Sequence, residues 1–130
     1  MNYKYLSLAI FSTLLIIFMS SIPDKALWGS GSLSEQIISN LAHIPAYALL
    51  SFLWLKSFAG ATSKNNTIVF SLTLAGLVLF AVADEIHQAF IPGRTASFID
   101  IGLDLIGILF GLWAFKIFGM FKREMKFGRR

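Results

Sequence analysis

Two carboxylates stand side by side after a long apolar stretch, and the residues that follow them are typical of acid–base chemistry. Asp84 and Glu85 are followed by His87, Gln88 and, after a turn signal, Arg94. On a helix, Asp84, His87 and Gln88 would share one face. The planar guanidinium of an arginine binds carboxylates, phosphates and diphosphates. The segment therefore predicts an acid–base site for an anionic molecule, or else a solvated helix end closed by an Arg–carboxylate latch.

A second polar group lies inside another apolar stretch. Asn40, His43 and Tyr47 follow one another at intervals of three and four residues, so a helix would carry them on one face. An imidazole inside a membrane span is costly unless it faces other helices or water, which makes His43 a candidate site residue. The alternative is that His43 and Asn40 only form hydrogen bonds with a neighbouring helix.

A third group opens the last apolar stretch. Asp100 and Asp104 are one helical turn apart, and Gly107 and Gly111 continue the same stripe. Small residues at this spacing favour close packing of helices, which would carry both acids into the interior of a bundle. If the glycine face were exposed it would instead suit a dimer, so a homo-oligomer is a possible partner arrangement.

The three groups also contain ligand types that bind divalent cations. Carboxylate oxygens suit Mg²⁺ or Ca²⁺, and an imidazole adds Zn²⁺ or Mn²⁺. Their spacing matches no known metal motif, so no metal and no other cofactor is assigned. The residues concerned are His43, Asp84, Glu85, Asp100 and Asp104.

The composition indicates what positions these groups. Hydrophobic residues make up 56% of the 130 residues and charged residues 14%, and a soluble domain of this size could not bury so much apolar surface. There is no cysteine, which excludes a disulfide framework and a thiolate metal site. Most basic residues lie in tails and short loops beside apolar stretches, which favours a membrane protein over a nucleic-acid-binding one.

Four apolar stretches each approach the roughly 20 residues needed to cross a hydrocarbon core. Backbone groups in lipid must be satisfied internally, so each stretch is predicted to be a helix. We expect the short third helix to continue through Gln88, and the long first one to remain as a helix rather than be cleaved as a signal peptide. The predicted fold is all-α: a polytopic membrane protein, one domain over residues 1–130, with four transmembrane helices in a small bundle. The predicted spans cover about residues 5–22, 37–58, 67–83 and 98–121.

The distribution of basic residues predicts the orientation. Nine of the eleven Lys and Arg residues fall on the side of the two termini, and only Lys25 and Arg94 fall on the other side. Cytoplasmic loops carry this excess, so both termini are predicted to be cytoplasmic. All acids except Glu124 then lie at or near the extracytoplasmic side.

The segments that contain the three polar groups resemble those of a known protein family. Asn40-Leu41-Ala42-His43-Ile44-Pro45-Ala46-Tyr47 is similar to the His-x-x-x-Tyr segment of VanZ-like membrane proteins, and residues 84–100 resemble that family's Asp-Glu-x-x-Gln…Pro-Gly-Arg…Asp core. Ser20-Ser21-Ile22-Pro23 resembles the usual end of its first span, while Asp104 stands where the family usually has Asn. The resemblance implies a bacterial cell-membrane protein of the cell envelope, linked in some members to resistance against glycopeptide antibiotics such as teicoplanin.

On this basis the site is expected at the outer leaflet, where it acts on, binds or shields a lipid-linked envelope precursor. For an enzyme, His43 or the Asp84/Glu85 pair would be the general acid and base, Arg94 would hold an anionic group, and Asp100 would orient the base or bind a metal. The expected partners are the lipid bilayer and this precursor, and no nucleic acid. The catalytic candidates are His43, Asp84, Glu85 and Asp100, and the substrate-binding candidates are Tyr47, Gln88, Arg94 and Asp104.

Two non-enzymatic interpretations stay open. The polar groups could form a buried network that fixes the bundle and shapes a binding surface for a lipid, a glycopeptide or a partner protein. Acids and a histidine inside a membrane also suit an ion-coupled transporter. The transporter interpretation ranks last, because residues Leu109 to Phe115 contain no ionisable side chain to relay ions across the bilayer.

Overall fold

A computed structural model describes residues 1–23, 33–59, 66–94 and 97–127 of the protein, with backbone alone for residues 33–36, 66 and 120–127. The described residues form four α-helices and contain no strand. The helices are α1 (Tyr3–Ser20), α2 (Leu33–Phe58), α3 (Asn66–Gln88) and α4 (Phe98–Phe127).

All four helices contain a segment that is long and apolar enough to cross a membrane, which confirms the predicted all-α transmembrane fold. The helix α3 continues to Gln88, as expected from the shortness of its apolar part. Residues 24–32 and 60–65, which lie between the predicted spans, are outside the described residues. The membrane-spanning segments are Tyr3–Ser20, Ile37–Phe58, Thr67–Gln88 and Phe98–Gly119.

Hydrogen bonds between helices give the direction of each one. The backbone N–H of Asn2 donates to the carbonyl of Ser57 at 2.8 Å, so the start of α1 lies beside the end of α2. His43 of α2 is bonded to Asp104 of α4, and the hydroxyl of Ser51 donates to the carbonyl of Ile108 at 3.2 Å, so these two helices run parallel to each other. The bundle therefore alternates in direction along the chain. At one end of it, which we call the site end, α1 and α3 finish and α2 and α4 begin.

Two glycines of α4, Gly107 and Gly111, lie against α2. A Cβ added at Gly107 would come within 2.5 Å of the Ile44 carbonyl oxygen, and one added at Gly111 would overlap the Ser51 hydroxyl and the Ala48 carbonyl oxygen. Backbones approach this closely only where both side chains at the contact are small or absent. The predicted packing role of this face is confirmed. Because α2 covers both glycines, this face is not exposed, and a homo-oligomer stays a prediction.

Burial in the bundle is the reverse of that in a soluble protein. Large apolar side chains cover the outside, with Leu72 and Leu79 exposed over 68% and 69% of their surface. Several polar side chains are instead buried, among them Asp84, Glu85 and Asp104. Lipid is as apolar as these outer side chains, so the energetically demanding residues are the internal acids, which need partners within the bundle.

Candidate functional site

The centre of the site is a histidine held by a buried carboxylate. His43 on α2 and Asp104 on α4 face each other because these two helices pack closely. The distance from His43 Nδ1 to Asp104 Oδ1 is 2.8 Å, with Asp104 fully buried and His43 15% exposed. A carboxylate can only accept, so Nδ1 is the donor and carries a proton. The bond fixes the ring and leaves Nε2 as the nitrogen that can exchange a proton with a ligand.

Tyr47 lies one turn further along α2 and extends this arrangement. The rings of His43 and Tyr47 are nearly parallel, at 5°, with their centroids 6.4 Å apart. Tyr47 is 1% exposed, and its hydroxyl interacts with the Asp84 carboxylate without a hydrogen bond of ordinary length and angle. A buried hydroxyl is normally hydrogen-bonded, so this one is suited to bind a ligand or a water molecule.

Asp84 is held by a chain of hydrogen bonds at the end of α3. Its Oδ2 accepts from the Ser20 hydroxyl at 2.9 Å and from Gln88 Nε2 at 3.0 Å. Gln88 in turn accepts at Oε1 from Arg94 Nη1, also at 3.0 Å. Asp84 and Gln88 can share this network because they are four residues apart on one helix face. The network fixes the Asp84 carboxylate and joins the ends of α1 and α3.

Arg94 also closes the end of α1. Its Nε donates to the Ile22 carbonyl at 2.9 Å and its Nη2 to the Met19 carbonyl at 3.0 Å. The last carbonyls of a helix have no partner within the helix, and a positive charge there is favourable to the helix dipole. Arg94 therefore organises the site by tying α1 to the segment after α3.

Replacement of Arg94 by Lys tests this role of the guanidinium. A lysine ammonium keeps the charge but cannot reach three acceptors in a planar arrangement, so we expect the free energy of unfolding to fall by about 2 kcal/mol. Thermal unfolding in detergent measures the change, and Arg94→Gln serves as the comparison that also removes the charge. Equal stability of Arg94→Lys and the unmodified protein would contradict the role.

The other two acids lie where α3 turns into α4. Glu85 is 2% exposed, and its Oε2 accepts from the backbone N–H of Ser97 at 2.7 Å. Asp100 is 7% exposed and lies in the first turn of α4. Both acids interact electrostatically with His43. Both acids therefore lie near the histidine, and Glu85 also holds the segment that leads into α4 through Ser97.

A cavity of about 260 Å³ lies beside these groups. Leu15 and Met19 of α1 line it and are 44% and 42% exposed, so the cavity opens at the outer surface of the bundle. Its wall combines apolar side chains with polar ones, a composition suited to an amphiphilic ligand. The polar side chains that line it are those of Ser20, Ser39, His43, Tyr47, Asp84 and Arg94.

The family model VanZ/LLP1 matches residues 2–119. The chain belongs to the VanZ/LLP1 family. The matched region contains the whole site, from Ser20 at the end of α1 to Asp104 on α4. No curated protein matches the chain, and no solved structure does.

The structure divides the predicted site residues of this VanZ/LLP1 protein into two sets. One set lines the cavity, and the other does not line it but lies next to the first set. In the second set, Asp104 is bonded to His43 and Gln88 to Asp84, while Glu85 and Asp100 lie towards the start of α4. The cavity set is His43, Tyr47, Asp84 and Arg94.

Two features of the site were not among the predicted residues. Ser20 donates to Asp84, and the last carbonyls of α1 accept from Arg94. The only sequence signal for the first was the pair Ser20-Ser21 at the end of an apolar stretch, and backbone acceptors leave no signal in a sequence. Within the described residues, no group of three or more His, Asp or Glu side chains is placed to hold a metal ion.

Proposed function

We propose that this VanZ/LLP1 protein acts at the bacterial cell envelope on a lipid-linked molecule. The cavity binds its anionic head group, and His43 exchanges a proton with it. The observation that carries this proposal is the 2.8 Å contact between His43 and the buried Asp104, at the wall of a cavity open to the bundle surface. A histidine oriented at Nδ1 by a carboxylate is a common general acid or base.

The depth of the site supports a ligand that arrives from the membrane. His43 lies six residues after the start of its membrane-spanning segment, and Asp104 six residues after the start of its own. At 1.5 Å per residue, this places both roughly 9 Å inside the span. An opening at this depth, beside exposed Leu15 and Met19, admits a molecule anchored in the bilayer more readily than one dissolved in water.

The polar groups of the cavity support an anionic head group. Arg94 supplies a guanidinium, whose planar arrangement of donors matches phosphate and carboxylate oxygens. The Tyr47 hydroxyl is a further donor, and the carboxylate of Asp84 is fixed by two hydrogen bonds from its neighbours. With its head group held at Arg94, a ligand would present a hydroxyl, an ester or a bound water to His43 Nε2.

We further propose an orientation in the membrane and a role in antibiotic susceptibility. The excess of Lys and Arg on the side of both termini supports a cytoplasmic position for the termini and an outer-leaflet position for the site. The link of some VanZ-like proteins to glycopeptide resistance supports a role in lowering susceptibility to teicoplanin-type antibiotics.

Native mass spectrometry and a susceptibility assay test the proposal together. The purified protein is expected to retain a phosphate-bearing lipid, and its expression in a susceptible Gram-positive host to raise the teicoplanin concentration that inhibits growth. His43→Gln should retain the lipid and lose the growth effect, because general acid–base catalysis contributes roughly a hundredfold or more to the rate of the step. His87→Gln is the matched control, because His87 lies at the same end of the bundle but is exposed and bonded to Ser21. If both variants keep the full effect, the acid–base role of His43 is wrong.

A second candidate function is a non-enzymatic binding or partner protein. The hydrogen bonds that join Ser20, Asp84, Gln88 and Arg94 favour it, because they connect α1 and α3 as a structural network would. Asp84→Asn separates the two functions. A structural network predicts that stability and growth effect fall together, whereas a catalytic site predicts loss of the growth effect at nearly unchanged stability.

A further inference from the structure

A second cavity lies deeper in the same bundle. Its volume is about 290 Å³, and its lining is almost entirely apolar. It too opens at the outer surface, since Leu72 and Gly76 on its wall are exposed. Nothing in the proposed acid–base chemistry uses it. Its main lining residues are Thr13, Leu50, Trp54, Leu72, Gly76 and Phe80.

The two cavities follow each other along the same three helices. On α2 the polar cavity reaches Tyr47 and the apolar cavity begins at Leu50, three residues later. On α3 the polar cavity has Asp84 and the apolar one begins at Phe80, four residues earlier. Three or four residues correspond to about one helical turn, roughly 5 Å. The apolar cavity therefore continues the polar one away from the site end.

An aromatic pair lies between the two cavities. Tyr47 lines the polar cavity and Phe80 the apolar one, and their ring centroids are 6.0 Å apart. A flexible chain that passes the edge of this pair would extend from one cavity into the other.

We infer that the two cavities hold one molecule, a phosphate-bearing amphiphile with its head group at His43 and Arg94 and one hydrocarbon chain in the apolar cavity. This inference rests on the proposed function, because it adds a binding site for the chain to the site for the head group. The size of the second cavity agrees with this occupant. It suits a hydrocarbon chain, whereas a partner helix is roughly 10 Å across with its side chains and needs an open groove.

Binding of the hydrocarbon chain in the apolar cavity mainly fixes the position of the ligand and adds little to its affinity. Bulk lipid is as apolar as the cavity wall, so transfer of a chain between them gains little free energy from the hydrophobic effect. A chain held in a fixed direction past Tyr47 instead restricts the head group to one position near His43. Binding of the hydrocarbon chain therefore orients the reacting end of the molecule at His43.

Trp54 provides a direct reporter, since it lines the apolar cavity. Trp28→Phe and Trp113→Phe leave it as the single tryptophan, and the protein is reconstituted in phosphatidylcholine vesicles. The probe is an alkyl phosphate with bromine near the end of its chain, because bromine quenches tryptophan fluorescence on contact. The alcohol with the same brominated chain is the comparison without a phosphate. We expect saturable quenching by the phosphate and only gradual, unsaturable quenching by the alcohol.

Filling the cavity from Gly76 tests the position of the chain. A Cβ at Gly76 has no atom within 4 Å, so larger side chains enter the cavity without displacing the backbone. Gly76→Leu and Gly76→Phe should weaken saturable quenching roughly tenfold, the effect of a few methylene groups in a tight apolar pocket. Gly76→Ala controls for the helix propensity of the glycine. Ala75→Leu controls for added bulk, because Ala75 is exposed beside Gly76 on the same helix.

The outcomes separate this inference from the proposed function. Direct binding of the phosphate probe is measured in parallel by native mass spectrometry, with the alcohol as the reference. The inference is wrong if the phosphate binds preferentially but does not quench Trp54 saturably. It is also wrong if Gly76→Phe leaves the quenching unaffected. Either outcome leaves the proposed head-group site intact. No preference for the phosphate over the alcohol overturns both.

Discussion

Replacement of His43 by Ala is expected to lower the free energy of unfolding by about 3 kcal/mol, because it leaves a buried carboxylate without its hydrogen-bond partner. Asp104 is fully buried on α4, and its Oδ1 accepts from His43 at 2.8 Å. Its other oxygen, Oδ2, makes no hydrogen bond with the described residues. Thermal unfolding in detergent measures the loss. An unchanged melting temperature would show that the bond does not contribute.

A double replacement by apolar residues distinguishes stability from function. His43→Phe with Asp104→Leu removes both polar groups, so no uncompensated group remains in the interior, and most of the lost stability should return. The growth effect should stay absent, because proton exchange requires the imidazole. A stable double variant that retains the growth effect would show that the pair is structural. A double variant less stable than His43→Phe and Asp104→Leu alone would show that the site cannot accommodate the apolar pair. In that case His43→Gln is used to test the function.

Replacement of Gly111 by Val is the second change with a large expected effect. Even the first added carbon would overlap the Ser51 hydroxyl and the Ala48 carbonyl oxygen of α2. The hydroxyl can rotate away, but the carbonyl belongs to the helix backbone and can move only if α2 and α4 separate. Overpacking of this kind costs about 3 kcal/mol or more. We expect the variant to be recovered at reduced yield with a lowered melting temperature.

The chain offers a matched control on the same helix. A Cβ at Gly102 has no atom within 4 Å, so Gly102→Val adds the same side chain without a clash. Its expected change in stability is below about 1 kcal/mol, a surface-like value. Gly107→Ala should fall between the two, since its Cβ would come within 2.5 Å of the Ile44 carbonyl oxygen. Equal stabilities of the Gly111 and Gly102 variants would contradict the close α2–α4 contact.

This contact also bears on the site, because α2 and α4 carry the two members of the central pair. A bulkier residue at Gly111 would separate the helices and lengthen the distance from His43 to Asp104. Gly111→Ala should therefore reduce the growth effect more than its loss of stability alone explains. The glycines position the site although they do not line its cavity.

The sequence by itself determined the four helices, because crossing a membrane depends on local properties. An uninterrupted apolar stretch of sufficient length has to form its hydrogen bonds internally, whatever its neighbours are. The same reasoning predicted that α3 reaches Gln88, since its apolar part was too short to end at Asp84. The residue types of the site were also evident, because His43 and the four acids are conspicuous in such stretches.

The tertiary structure decided which of these residues meet. Asp100 and Asp104 share one face of α4, one turn or about 5.4 Å apart, so the sequence could not tell which would contact His43. Sequence reasoning let Asp100 orient the base or bind a metal, and the structure shows a hydrogen bond between Asp104 and His43. The choice depends on the axial register of α2 against α4, which the contacts at Gly107 and Gly111 establish.

The partners of Arg94 show the same limit. Its type and spacing predicted a carboxylate or an anionic ligand, whereas its described hydrogen bonds include two backbone carbonyls at the end of α1. Backbone acceptors are present at every residue and leave no pattern in a sequence. Local chemistry specified the helices and the reactive side chains, while the contacts between distant segments fixed the partner of each one, because register and helix ends are set by packing across the bundle.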